Sequence, residues 1–317
     1  MPPPAWHKIQ IKEKHIMQTL NVIFLLVLIL APMAFVVAYL MYSKKRTNDL
    51  RKNPINIDLL RSPGESISEQ IEDKSLDVDS YLTALAIAPL LCYAMYLQRN
   101  PSELNAILLT IVGFGFTVFF AYKLVRLSKI RNNLKLGYDA ELAVGQELNS
   151  LMRDGYYVFH DVHLNNSVDD YNIDHVVVGT TGVFAVETKG HSKPIQKNGK
   201  AEFKVKFNGT QLIFPTWVES EPVEQAKRQA SALQKWLSSA IGEAVEVKPV
   251  LAIPGWYIET TGKSDVAIIN GKKSANYFNN TSSQKFNEKL ITQIAHQLEQ
   301  RCRNVKPQAY AKKKARN

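Results

Sequence analysis

The chain has 317 residues, 45% hydrophobic and 21% charged, with a formal net charge of +10. Its two cysteines, Cys92 and Cys302, are too few and too far apart for a disulfide scaffold, which fits a reducing compartment. Residues 137–300 hold 16 Lys+Arg against 19 Asp+Glu, residues 1–136 hold 16 against 10, and residues 301–317 hold seven basic residues and no acid. A uniformly basic, phosphate-tracking domain is therefore excluded, and the positive surplus belongs to the apolar amino-terminal third and the tail.

Three apolar stretches open the chain, at 19–42, 81–97 and 104–122. The first and third are long enough to cross a bilayer as helices, and the second, which contains Pro89, is near the lower limit. No small-residue cleavage pattern follows the first, so it reads as a retained span. Lys44, Lys45, Arg46, Arg51 and Lys52 follow the first stretch, and Lys123, Arg126, Lys129 and Arg131 follow the third. With three spans, the positive-inside bias puts the loop 43–80 and everything after 123 in the cytoplasm, as expected of an inner (cytoplasmic) membrane protein. With two spans the amino end changes sides and the large domain stays cytoplasmic. The spans hold almost no ionisable residues, so anchoring explains them better than transport. Residues 53–80 are polar and contain Ser62-Pro63-Gly64, which predicts a flexible loop without chemistry.

From 134 the pattern becomes α/β. Residues 139–153 read as a helix with Val144, Gly145, Leu148, Leu151 and Met152 on one stripe, and Glu141 on that same stripe. Residues 156–164 read as a strand, 165–171 as a polar loop with Asp169 and Asp170, and the runs ending at Val178 and Lys189 as two buried strands joined by Gly179-Thr180-Thr181-Gly182. A hairpin is predicted around Asn208-Gly209, then a helix over 223–240, strands over 245–253 and 266–270, and a helix over 282–302. The basic tail 303–317 is expected to be disordered.

Asp174 stands near the start of one apolar run and Glu187-Thr188-Lys189 closes the next. Side chains alternate along a strand, so Glu187 and Lys189 share a face and Thr188 takes the other. Charges at the ends of adjacent apolar strands are costly unless paired or metal-bound. Two neighbouring carboxylates suit a hard divalent cation, and a nearby ammonium can orient a water. His175 alternates with Asp174 and is expected to be a satisfied core or surface histidine. His160, His163 and His191 show no zinc-ligand spacing.

A helix with Glu141, the strand motif Asn172-Ile173-Asp174-His175, Gly182-Val183-Phe184 and then Glu187-Thr188-Lys189 together resemble a nuclease-related domain, of the wider PD-(D/E)xK nuclease superfamily. The resemblance covers residues 137–240 well and implies a restriction-endonuclease-like mixed sheet flanked by helices. It implies Asp174 and Glu187 as ligands of Mg²⁺ or Mn²⁺, completed by the Thr188 carbonyl, with Lys189 positioning the attacking water. Glu141 matches the acid of the family's first helix, and Gln225 matches a glutamine that supports the site. Lys227 and Arg228 read as a solvated helix face. Ile173 stands where the superfamily's name has proline. The implied activity is metal-dependent phosphodiester hydrolysis at the bilayer with nucleic acid, DNA, as partner. The alternative is a catalytically inactive nuclease fold that binds nucleic acid or protein.

Overall fold

A computed structural model describes residues 5–98, 103–165, 170–195, 199–200, 202–272, 274–281 and 286–309. In chain order the elements are α1 (Ala5–Leu50), β1 (Leu59–Leu60), α2 (Glu65–Gln98), α3 (Glu103–Asn149), a 3₁₀ turn (Ser150–Asp154), β2 (Tyr157–Asn165), β3 (Asp170–Gly179) and β4 (Gly182–Thr188). They continue with β5 (Lys204–Phe207), β6 (Leu212–Ile213), β7 (Val218–Glu219), α4 (Glu221–Ile241), β8 (Val247–Ala252), β9 (Tyr257–Thr260), β10 (Ala267–Ile269), α5 (Ala275–Asn280), α6 (Glu288–Cys302) and β11 (Arg303–Val305).

The chain divides into two compact units. One comprises the described parts of 1–56, 74–130 and 307–317, and the other comprises 57–73 and 131–306. In the first, two helices among the described residues are long and apolar enough to cross a membrane, one over Glu65–Tyr96 and one beginning at Glu103. Their large apolar side chains, Leu90, Leu108, Ile111 and Phe114 among them, are exposed. The expected first span lies inside α1.

The second unit is built on a five-stranded mixed sheet of order β10-β8-β4-β3-β2, antiparallel from β2 to β4 and parallel from β4 to β10. One face packs Val162, Ile173, Val176, Val183 and Ala185 against Leu233 and Leu237 of α4 and Ile294 and Leu298 of α6. The other packs Val158, Val177, Phe184 and Val186 against Val144 and Leu148 of α3. The continuous apolar run of β4, buried at every position, is what a central strand covered on both faces requires. A second sheet, β7-β6-β5-β9, carries the predicted Asn208-Gly209 hairpin and encloses Phe207, Leu212, Phe214 and Trp256.

Three expectations are corrected. Residues 53–80 are not a flexible loop: from Glu65 they are helical, and Ile57–Asp73 belongs to the α/β unit, because Arg61 and Ser66 bond to the buried Asp161. The third apolar stretch and the first helix of the α/β domain are one helix, α3, since good helix formers run through 123–149 without a proline. The tail does not begin disordered at 303. Arg303–Val305 forms β11, antiparallel to β1 through Leu59↔Val305 and Leu60↔Arg303, while 310–317 lie outside the described residues. The strands β7 and β9 and the helix α5 were not predicted; each is only two to six residues long.

The α4 contact carries much of this architecture. Leu233→Ala, at a fully buried position of the larger core, is expected to lower unfolding stability by about 2–5 kcal/mol, measured by urea denaturation.

Candidate active site

The site lies where β3 and β4 meet. Their register pairs His175 with Val186, so Asp174 comes beside Glu187 one step further along. The Thr188 amide donates to Asp174 Oδ2 at 2.6 Å. Glu187 lies on the α4 face with Val183 and Ala185, and its two oxygens have separate partners. Lys189 Nζ is 2.7 Å from Oε1, and Gln229 Nε2 donates to Oε2 at 2.6 Å and to the Asn172 carbonyl at 2.7 Å. Strand alternation thus places Glu187 and Lys189 together, as the sequence implied.

Glu141 approaches from α3 on the apolar stripe that carries Val144 and Leu148. The close fit of α3 against the end of β4 depends on Gly190. A Cβ there would sit 2.7 Å from the Leu136 carbonyl and 2.8 Å from Ala140 Cβ.

All three carboxylates are buried, with Glu141 and Asp174 6% exposed and Glu187 2%. Burial, with the charges of Asp161 and Glu187, pushes the Glu141 carboxyl up to about 8. Burial and the charges of Glu187 and Glu141 likewise hold Asp174 well above the carboxylate range, against the opposing pull of the Thr188 amide and Lys189. For Lys189, burial favours the neutral amine, but Glu187, Asp174 and Glu141 overcome it and raise the pKa, so the ammonium persists at neutral pH. Three acids thus compete for one cation. Several acceptor oxygens around them, Glu141 Oε2, Asn172 Oδ1 and Gln229 Oε1, are buried without a protein partner among the described residues.

The glutamine at the site is Gln229, not Gln225. Gln225 is half-buried and lies one turn earlier on the same side of α4, so the face was right and the turn was wrong. The signal was available: Gln229 interrupts the stripe Val223, Ala226, Ala230 and Leu233. Lys227 and Arg228 are paired with Glu224 and Glu221 of their own helix, as solvated-face residues. His175 is a fully buried core residue whose Nδ1 is 2.9 Å from His160 Nδ1, and His160 Nε2 is 3.0 Å from Asn149 Oδ1. Burial lowers both histidines, His160 to about 4, so the pair is neutral at physiological pH. Asp169 lies outside the described residues.

Sequence reasoning missed Asp161. It is fully buried in β2, and the β2–β3 pairing passes from His160↔His175 to Val162↔Ile173 over Asp161 and Asp174. Burial would raise its carboxyl, but hydrogen bonds from His163, Ser66 and Arg61 hold it below the usual range. An acid at the centre of a strand, between His160 and Val162, was the only sequence signal.

A mixed α/β sheet presenting Asp174, Glu187 and Lys189 at adjoining strand ends, with a helical Glu141, defines a nuclease-like domain. Residues 136–254 match the family model described as Nuclease-related domain. The matched segment contains Glu141, Asp161, Asp174, Glu187, Lys189 and Gln229. No curated protein and no solved structure matches the chain.

The raised Glu141 pKa has a sign that can be checked. A carboxyl titrating higher in the folded than in the unfolded state contributes stability that is full below about 4.5 and lost as pH rises through about 8. Glu141→Gln removes that loss. Its melting temperature is expected to gain on the wild type between pH 5 and pH 9; a constant offset would contradict the crowding.

Proposed function

We propose that this chain is a membrane-anchored, divalent-metal-dependent nuclease acting on DNA. The observation that carries the reading is the convergence of Glu141, Asp174 and Glu187 with Lys189 and Gln229 inside a nuclease-related domain.

The donors fit Mg²⁺ or Mn²⁺. They are hard oxygens, they repel one another strongly enough to retain protons, and buried acceptors near them have no protein partner. No three His, Cys, Asp or Glu side chains among the described residues form a metal-binding group. The protein shell would therefore be Asp174, Glu187 and the Thr188 carbonyl. The N–H and C=O of one strand residue point to the same side, so this carbonyl faces Asp174 as the amide does. Such an ion supplies polarisation of the phosphate and a lower pKa for a bound water.

The chain's own residues supply the rest. Lys189, still an ammonium at neutral pH, orients a water and stabilises charge developing on phosphate oxygens; it does not begin as a base. Glu141 retains its proton to about pH 8 and is the group that yields one when positive charge enters. Gln229 holds Glu187 in one rotamer, and the Thr188 amide does the same for Asp174. The apolar parts of α2 and α3 anchor the chain, and the basic residues after 43 and 123 favour a cytoplasmic domain.

A binding module without turnover is the second reading, favoured by the slight acidic excess of residues 137–300. Cleavage of supercoiled and single-stranded DNA by the full chain in detergent separates the two. Asp174→Asn and Lys189→Ala are each expected to lower Mg²⁺-dependent cleavage by about 100-fold or more; variants as active as the wild type would refute the assignment.

Metal uptake gives a readout without turnover. Because the ion must displace protons from Glu141 and Asp174, the melting-temperature gain in millimolar Mg²⁺ is expected to grow from pH 6 to pH 8.5 and to vanish in Asp174→Asn.

A further inference from the structure

The segment 59–66, outside the matched 136–254, is strapped across the α/β unit. Its start is held by β11. Leu59 and Leu60 pair with it, the Arg61 amide donates to the Cys302 carbonyl at 3.0 Å, and Arg61 Nε donates to Asn304 Oδ1 at 2.9 Å. Its end is held by Asp161. The Arg61 guanidinium pairs with Asp161 Oδ2, and Ser66 donates to the same oxygen from its amide at 3.0 Å and its hydroxyl at 2.8 Å. His163 Nε2 joins at 2.8 Å from Ser66 Oγ.

Between these anchors Pro63 and Gly64 lie on α3 beside Glu141, the acid that α3 brings to the site. A Cβ on Gly64 would stand 2.8 Å from the Tyr138 ring and 3.7 Å from Glu141 Oε2. A Cβ on Gly145 would stand 2.6 Å from Pro63 Cγ. With the strap seated on α3, Glu141 is 6% exposed, too covered for a phosphodiester to touch it from that side.

The anchor residue is also unusual. Asp161 is the one non-glycine with positive φ among the described residues, at 51°, and His163 Nε2 lies 3.6 Å from its second carboxylate oxygen. Backbone held in this region persists only where the surroundings enforce it. Here the enforcing groups, Arg61 and Ser66, come from the strap itself. Lifting the strap takes the cation from a buried carboxylate and frees the local backbone together, which favours two discrete arrangements over gradual loosening.

We propose that residues 59–66 are a gate over the acid site: seated on Asp161 and α3 they close it, and release from Asp161 opens it to a phosphodiester. The gate itself stands on the packing; only what passes through it rests on the nuclease reading. The strap runs directly into α2, whose first residues, Glu65 and Ser66, belong to it.

Two variants unseat the strap by different means in the full chain in detergent. Arg61→Gln removes the cation. Gly145→Ala favours the helix but drives a methyl into Pro63. Hydrogen exchange at the Ser66 and Ser68 amides reports seating, and alkylation of the thiol introduced by Glu141→Cys, read by peptide mass spectrometry, reports access. Both variants are expected to accelerate exchange and alkylation by about tenfold or more, the equivalent of one lost charged hydrogen bond. Faster exchange with alkylation at the wild-type rate would overturn the gate. So would faster alkylation with slower DNA cleavage, which would make the strap a support. Faster alkylation in a protein that cleaves nothing even as wild type would leave the gate standing and remove the nuclease reading instead.

Discussion

The crowding of three buried carboxylates around one ammonium is the constraint on which the rest of this structure depends. Glu141, Asp174 and Glu187 are drawn from a helix and two strands, and two of them hold protons far more tightly than a free acid would. A fold tolerates such a group of acids only when something offsets the repulsion. Here Lys189, the Thr188 amide and the Gln229 amide share that task. None of these groups fills a gap in the apolar core, and each would be cheaper to replace with an apolar side chain if packing alone mattered.

The surrounding architecture is organised to hold this charged point at the junction of three layers. α4 reaches Glu187 through Gln229 from one face of the sheet, and α3 brings Glu141 from the other side. Gly190 lets α3 and the end of β4 approach within van der Waals distance, which a side chain would prevent. The neutral His160–His175 pair sits on the α3 side, where a charged imidazole would add to the desolvation cost.

The strap couples this site to residues far outside the family-matched segment. Its polar contacts converge on Asp161, whose backbone is held in a conformation that few non-glycine residues adopt. The same segment leads into α2, and α3 carries Glu141 on a helix that begins in an apolar stretch.

What the sequence determined by itself was the local chemistry. Strand alternation placed Glu187 with Lys189, the apolar stripe on α3 included Glu141, and the Asn208-Gly209 turn marked a hairpin. These follow from periodicities of 2 and 3.6 residues, which need no knowledge of distant contacts. Gln225 was mistaken for Gln229 because periodicity identifies a helix face but not which turn of it meets Glu187. The tertiary structure alone decided the roles of Asp161, Arg61 and Ser66, and the order within 53–80. Their partners lie about 100 residues away in sequence, as with Arg61 and Asp161. A polar segment is indistinguishable from a loop until the buried charge that orders it is known.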